Sequence, residues 1–406
     1  MDPLASQFVD VSELIFQHLS AKDVMKCSLV SSLWCEVIGS SHKCMKQIWL
    51  RLDKPSNQVE LLKQSSRRYQ NFCIHPGSKV KLAEILKNFR PRNVMISDGI
   101  HEKIEFRDYF KFMASMAPSI EKLQPGEGIV VDSNNSIQPL DFPNLKELQF
   151  TVTNRNAFSI FLGSNTRLEK VLLSFANEAK SEFSSSNNNI IHTFLLRNPQ
   201  IKNLWVCEVD CTFLTDITEN LELDLDTFVF AKSCAVSNEI QTRIGENLVK
   251  FIKTQRNLEW LKILCMHERS VFCSIWNEGK FKRLFIMDCG LKVCSHVDAT
   301  VNDHQLQKNL SVIEINFYLN PSCHVLRFLR STPNLKSFKL RQLSKQILEF
   351  AATNLPKLET IQFQSVEADV MQVYANLKAS NNDGINRKIQ LEEMDFFEFV
   401  GRDATF

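Results

Sequence analysis

Along most of its length the chain repeats one short pattern of hydrophobic and polar positions. A polar or proline residue and a second polar residue precede a leucine or isoleucine. Two variable residues follow, then an apolar, a variable and a second apolar residue. Residues 143–150, Pro-Asn-Leu-Lys-Glu-Leu-Gln-Phe, are the clearest copy. Others lie at 166–173, 199–206, 256–263, 308–315, 333–340 and 356–363, with weaker copies near 69–74, 92–96, 119–123, 227–230 and 281–287. Apolar residues alternating at period two predict a strand. Helical periodicity fills several intervals between copies, at 189–197, 239–254, 323–330, 345–352 and 369–378. Such strand–helix units, recurring at roughly 22–26 residues and sometimes 30 or more, bury their apolar positions only against neighbours, so about 11–12 of them stack into an array. The wider spacing across 175–255 predicts insertions, and the polar run at 184–189 reads as a solvated loop.

The first fifty residues follow a different period. Val11, Leu14, Ile15 and Leu19 fall at helical spacing, with Phe16 and His18 off that stripe. Ser20 breaks the pattern and is placed to cap a second helix, with Asp23 three residues later in a box-like position. Val24, Cys27, Leu29, Val30, Leu33 and Trp34 continue on that helix and beyond it. Helices this short are marginal alone and need a packing partner, either the rest of the chain or another protein.

Composition narrows the class. The 406 residues are 44% hydrophobic and 23% charged, with a net charge of +2, which are globular values. They do not suggest a general binder of nucleic acid or membranes. Arg67-Arg68 and the stretch 79–87 read as solvated helix faces rather than nucleic-acid patches. The 12 cysteines form no regular framework, and no signal peptide or apolar run of about 20 residues stands out. They read as reduced, mostly buried thiols of a cytoplasmic or nuclear protein. Cys289, Cys294 and His296 have a spacing looser than zinc sites show, and recruiting Cys265 or His267 to them is arbitrary. No nucleophile elbow, phosphate loop or dinucleotide fingerprint is present, so no catalytic residue, metal or cofactor is assigned.

The order Glu-Leu-Ile-Phe-x-His-Leu-Ser-x-x-Asp-Val from Glu13, followed by Ser-Leu-Val-x-x-x-Trp from Ser28, resembles an F-box. Gln7-Phe8 stands where F-boxes usually have Leu-Pro, and Trp49-Leu50 fits the closing Trp–Leu. Together with the repeats, the chain resembles the F-box/leucine-rich-repeat family over essentially its whole length. The resemblance implies an α/β architecture: an all-helical F-box (1–52), a curved repeat solenoid with a parallel concave sheet and outer helices (53–391), and a cap or tail (392–406), whose alternating acidic and aromatic residues at 392–399 read as a terminal strand or cap. It implies a non-catalytic substrate receptor of a ubiquitin ligase, in which the F-box binds the Skp adaptor and through it a cullin–RING scaffold. The matched adaptor-binding positions are Phe8, Val11, Leu14, Ile15, Leu19, Leu29, Val30 and Trp34. A repeat scaffold that holds Skp without reaching a cullin is the alternative.

The variable strand positions point to the concave face, because strand side chains alternate. There Trp205, Trp260 and Phe285 are candidate anchors for a protein substrate, with Lys262, Arg283, Lys339 and Arg341 adding positive charge. The patch suits a segment of aromatic or acidic character.

Overall fold

The computed structural model describes residues 9–52, 65, 67–74, 89–96, 104–125, 129–130, 138–152, 158–175, 188–207, 223–231, 238–264, 274–276, 278, 280–287, 309–316, 325–326, 329–380 and 389–393. They belong to two compact units, Met1–Ile201 and Lys202–Phe406.

The first unit opens with four short helices: α1 (Val9–Gln17), α2 (Ala21–Cys27), α3 (Ser32–Ser40) and α4 (His42–Met45). Serines punctuate them. Ser20 Oγ accepts the Asp23 amide and donates to its carboxylate. Ser31 accepts the Trp34 amide and Ser41 the Cys44 amide, each satisfying an otherwise orphaned helical donor. The chain then enters a parallel ladder: β1 (Trp49–Leu52), β2 (Asn71–Ile74), β3 (Asn93–Ile96), β5 (Lys122–Gln124), β7 (Glu147–Val152) and β8 (Lys170–Phe175). A separate parallel pair, β4 (Ile104–Glu105) and β6 (Ile129–Val130), flanks α5 (Phe106–Met116). The α6 helix (Asn188–Arg197) follows β8 in the chain.

The second unit continues in sequence order through β9 (Asn203–Cys207), β10 (Thr227–Ala231), β11 (Trp260–Leu264), β12 (Arg283–Met287), β13 (Val312–Asn316), β14 (Ser337–Leu343), β15 (Thr360–Val366) and β16 (Gln390–Glu393). Every neighbouring pair is parallel. Parallel pairing demands a crossover between strands. Helices α7 (Asn238–Thr254), α8 (Lys345–Asn354) and α9 (Val370–Ser380) lie in three of these crossovers.

The repeat expected from the sequence is therefore present in both units. All twelve copies of the pattern end in strands; β1 precedes them in the first unit and β16 follows them in the second. The first strand starts at Trp49, within the segment assigned to the F-box, and the acidic Glu392-Glu393 lies in the last described strand, in keeping with the terminal strand or cap read there. The α5 helix escaped the sequence reading, although Tyr109, Phe112, Met113 and Met116 mark one buried face at helical spacing.

Two devices repeat along the ladder. One backbone carbonyl at the start of a repeat accepts two successive amides from the next: Lys202 from Asp226 and Thr227, Asp226 from Glu259 and Trp260, Glu259 from Lys282 and Arg283. A buried residue three places before the leucine or isoleucine of a copy often closes the preceding helical turn. Asn165 Nδ2 donates to the Phe161 carbonyl at 2.9 Å, Asn198 Nδ2 to the Phe194 carbonyl at 2.7 Å, and Thr332 Oγ1 to the Leu329 carbonyl at 3.1 Å. Phenylalanine fills much of the space between the sheet and its crossovers, as in the Phe158–Phe194 and Phe228–Phe251 pairs, whose rings are 5.1 and 4.8 Å apart.

Candidate interaction surfaces

The four N-terminal helices close on a core of Phe16, Val24, Val37, Ile38, Cys44, Met45 and Ile48. Phe16, off the apolar stripe of α1, is the residue that anchors this helix; its ring lies 5.3 Å from that of Trp34. The stripe itself turns outward, with Val11, Leu14 and Ile15 each at least half exposed. Of the two partners the sequence left open for this stripe, the rest of the chain does not cover these three residues. A nine-residue helix offers one narrow contact, and a single phenylalanine satisfies it. Leu29 and Val30, on the turn between α2 and α3, are 82% and 64% exposed.

The eight positions matched to adaptor binding thus divide. Val11, Leu14, Ile15, Leu29 and Val30 are exposed, whereas Leu19 and Trp34 pack against the domain core. Phe8 lies outside the described residues. Apolar exposure concentrated in so small a module marks a surface for another protein. The Asp23 carboxyl on α2 is held below the usual carboxylate range, chiefly by the Ser20 hydroxyl and secondarily by Lys26 and Lys22.

On the second unit the strand register aligns Trp205, Val229, Lys262, Phe285, Glu314, Lys339, Gln362 and Glu392 in one row. An adjacent row holds Asn203, Thr227, Trp260, Arg283, Val312, Ser337, Thr360 and Gln390. These alternate with the buried Leu204, Phe228, Leu261 and Ile313 of the core-facing set. The anchors and cations alternate with the buried set, as the strand period requires, but not all are exposed. Phe285, Lys262 and Lys339 are 5–6% exposed and do not form an open patch. Lys262 Nζ sits 4.5 Å from the centre of the Phe285 ring, a cation–π pair that spends both side chains on each other. Trp205 and Trp260 meet edge to face, their rings 6.4 Å apart and perpendicular. They stand on the two strands flanking β10, whose outward residues Thr227 and Val229 are small and buried. Both tryptophans and Arg341 are half-buried, and Arg283 is exposed.

Arg67 departs from the solvated helix face expected of it. It lies in a non-helical segment and is half-buried, with its guanidinium on Ser28 and Cys35. Residues 79–87, Cys265, His267, Cys289, Cys294 and His296 lie outside the described residues. Among the described residues no cluster of His, Cys, Asp and Glu could hold a metal ion, and no helix is long and apolar enough to cross a membrane.

Residues 9–46 match the F-box domain family. No curated protein matches the sequence. A solved structure of a protein from Bacteroides fragilis aligns with 60% of this chain and 75% of its own length, at 10% identity and a TM-score of 0.39. The matched segment is followed by the parallel strand–helix ladder, the order that the resemblance to the F-box/leucine-rich-repeat family implies.

Proposed function

We propose that this chain is the substrate-receiving subunit of a Skp–cullin–F-box ubiquitin ligase and has no catalytic chemistry of its own. The observation that carries the reading is an F-box domain that keeps a full core yet leaves Val11, Leu14, Ile15, Leu29 and Val30 exposed. These five side chains dock on the Skp adaptor, which joins the chain to a cullin–RING scaffold. The ladder holds a protein substrate on its outward face, where Trp205, Trp260 and Arg283 offer aromatic edges and an exposed cation. Catalysis then consists of proximity: tethering raises the effective concentration of substrate lysines at the activated ubiquitin, to the millimolar range for short tethers.

Co-expression with a Skp adaptor and a cullin, followed by size-exclusion chromatography, tests this. Wild type is expected to elute with both partners. Ile15→Asp and Leu29→Asp are expected to elute alone, with unchanged melting temperatures. A wild-type complex with the adaptor that excludes the cullin would make the chain a scaffold instead. A folded wild type that ignores the adaptor would overturn both readings.

A further inference from the structure

The F-box match ends at residue 46, yet the turn that presents Leu29 and Val30 is fastened from beyond it. Among the described residues the turn's backbone amides make short-range bonds, from Leu29 to the Lys26 carbonyl and from Val30 to the Cys27 carbonyl. The Ser28 hydroxyl donates to the Met25 carbonyl at 2.7 Å and accepts from Arg67 Nη2 at 3.0 Å. The same guanidinium reaches Met25 Sδ at 3.7 Å and Cys35 Sγ at 3.5 Å. One planar group therefore ties the end of α2 to the start of α3, on both sides of the turn.

The chain carrying Arg67 is itself seated. The Arg68 amide donates to the Gly39 carbonyl at 3.4 Å. A Cβ on residue 39 would stand 3.2 Å from Arg67 Cγ, so α3 offers its one glycine where the arginine stem crosses. Four residues on, Asn71 at the start of β2 donates to the carbonyls of Lys46 and Ile48, at 2.7 and 3.1 Å.

We propose that Arg67 is a positioning residue for adaptor docking, bracing the α2–α3 turn so that Leu29 and Val30 are held in their docking arrangement before the partner arrives. The inference rests on the receptor reading above. A turn whose apolar side chains project into water has no packing of its own to hold it. Ordering it on binding lowers the apparent affinity by the fraction of molecules already competent. Arginine suits the task because its fork reaches several acceptors at once, which a lysine ammonium on a flexible stem does not reproduce.

The test uses the full chain and purified Skp adaptor, with binding kinetics, melting temperature and amide hydrogen exchange. Arg67→Ala is expected to weaken adaptor binding about tenfold through a slower association rate, at an unchanged dissociation rate. Exchange should quicken at residues 28–31 and stay unchanged in α1. Arg67→Lys should fall between, and Arg68→Ala, whose exposed side chain lies off the brace, should match wild type. Gly39→Leu, which lifts the stem while keeping the guanidinium, should reproduce the slower association in a folded protein. Unchanged association and unchanged exchange in Arg67→Ala would overturn the brace. A loss carried by faster dissociation would overturn it too, because that is the mark of a direct contact. If wild type ignores the adaptor, the receptor reading fails, and the exchange data alone still decide whether Arg67 orders the turn.

Discussion

The F-box and the repeat ladder treat their apolar side chains in opposite ways. Among the described residues eight large hydrophobics are exposed, and five of them, Val11, Leu14, Ile15, Leu29 and Val30, belong to the F-box. The ladder covers much of its outward face: Lys262 lies on Phe285, and Trp205 and Trp260 meet edge to face beside the small residues of β10. An inner strand of the ladder has two neighbours to lean on, whereas a domain of four short helices has little area to share. The difference teaches where a partner's contribution is largest. The F-box presents a surface whose burial is still to be gained, while the ladder presents a face already arranged.

The largest expected effect lies inside the F-box, between two adjacent residues. Phe16→Ala should destabilise the domain by about 3–5 kcal/mol, because a ring is removed from a seven-residue core. Ile15→Ala should change stability by no more than about 0.5 kcal/mol, since its side chain is already in water. Denaturant unfolding of both variants checks this, and equal costs would dissolve the contrast. In the ladder, Asn198→Ala should cost about 1–3 kcal/mol, because the Phe194 carbonyl loses its side-chain donor in a buried setting. Asn144→Ala, at an exposed asparagine bond to the Pro118 carbonyl, should cost far less in the same assay.

A smaller effect tests whether the outward face is self-packed. A double-mutant cycle on Trp205→Ala and Trp260→Ala should give a coupling of about 0.5–1.5 kcal/mol in thermal unfolding. Additive costs would mean that the two rings stand as separately as the exposed residues of the F-box. Smallest of all is a charge on the ladder's rim. Lys146, then Arg92, holds the Glu121 carboxyl below the 4.5 usual for glutamate. A carboxyl with a lowered folded value contributes stability above that usual range and loses it as pH falls through the folded value. Lys146→Ala should therefore flatten the acid limb of a stability–pH curve near and below pH 4.5. Its effect at neutral pH should be at most about 1 kcal/mol, as for exposed pairs generally.

Much of this was legible from residue order. Period-two alternation located the strands because a strand buried on one face must alternate, and Pro143, Pro199, Pro333 and Pro356 marked the turns that lead into several of them. Serine at positions 20 and 31 marked helix starts through a local rule that needs no tertiary context; Ser20 was read in advance, and Ser31 follows the same rule. The end strands β1 and β16 lack the full pattern, because a terminal strand has one neighbour and fewer positions are constrained; alternation alone pointed to a terminal strand or cap from Glu392. That Phe16 and not the stripe anchors α1 was not legible, because periodicity reports which apolar residues share a face, not which face meets the core.

The sequence by itself determined that a helical F-box precedes an array of strand–helix repeats, and which alternate positions face out of the sheet. Those properties follow from short-range spacing and backbone geometry. Only the tertiary structure decided which outward residues remain available. It turned the α1 stripe to solvent, set Lys262 over Phe285, and laid Arg67 across Gly39 onto Ser28, some forty positions away along the chain. Exposure is a property of what lies against a side chain, and contacts of that separation leave no periodic trace in the residues that make them.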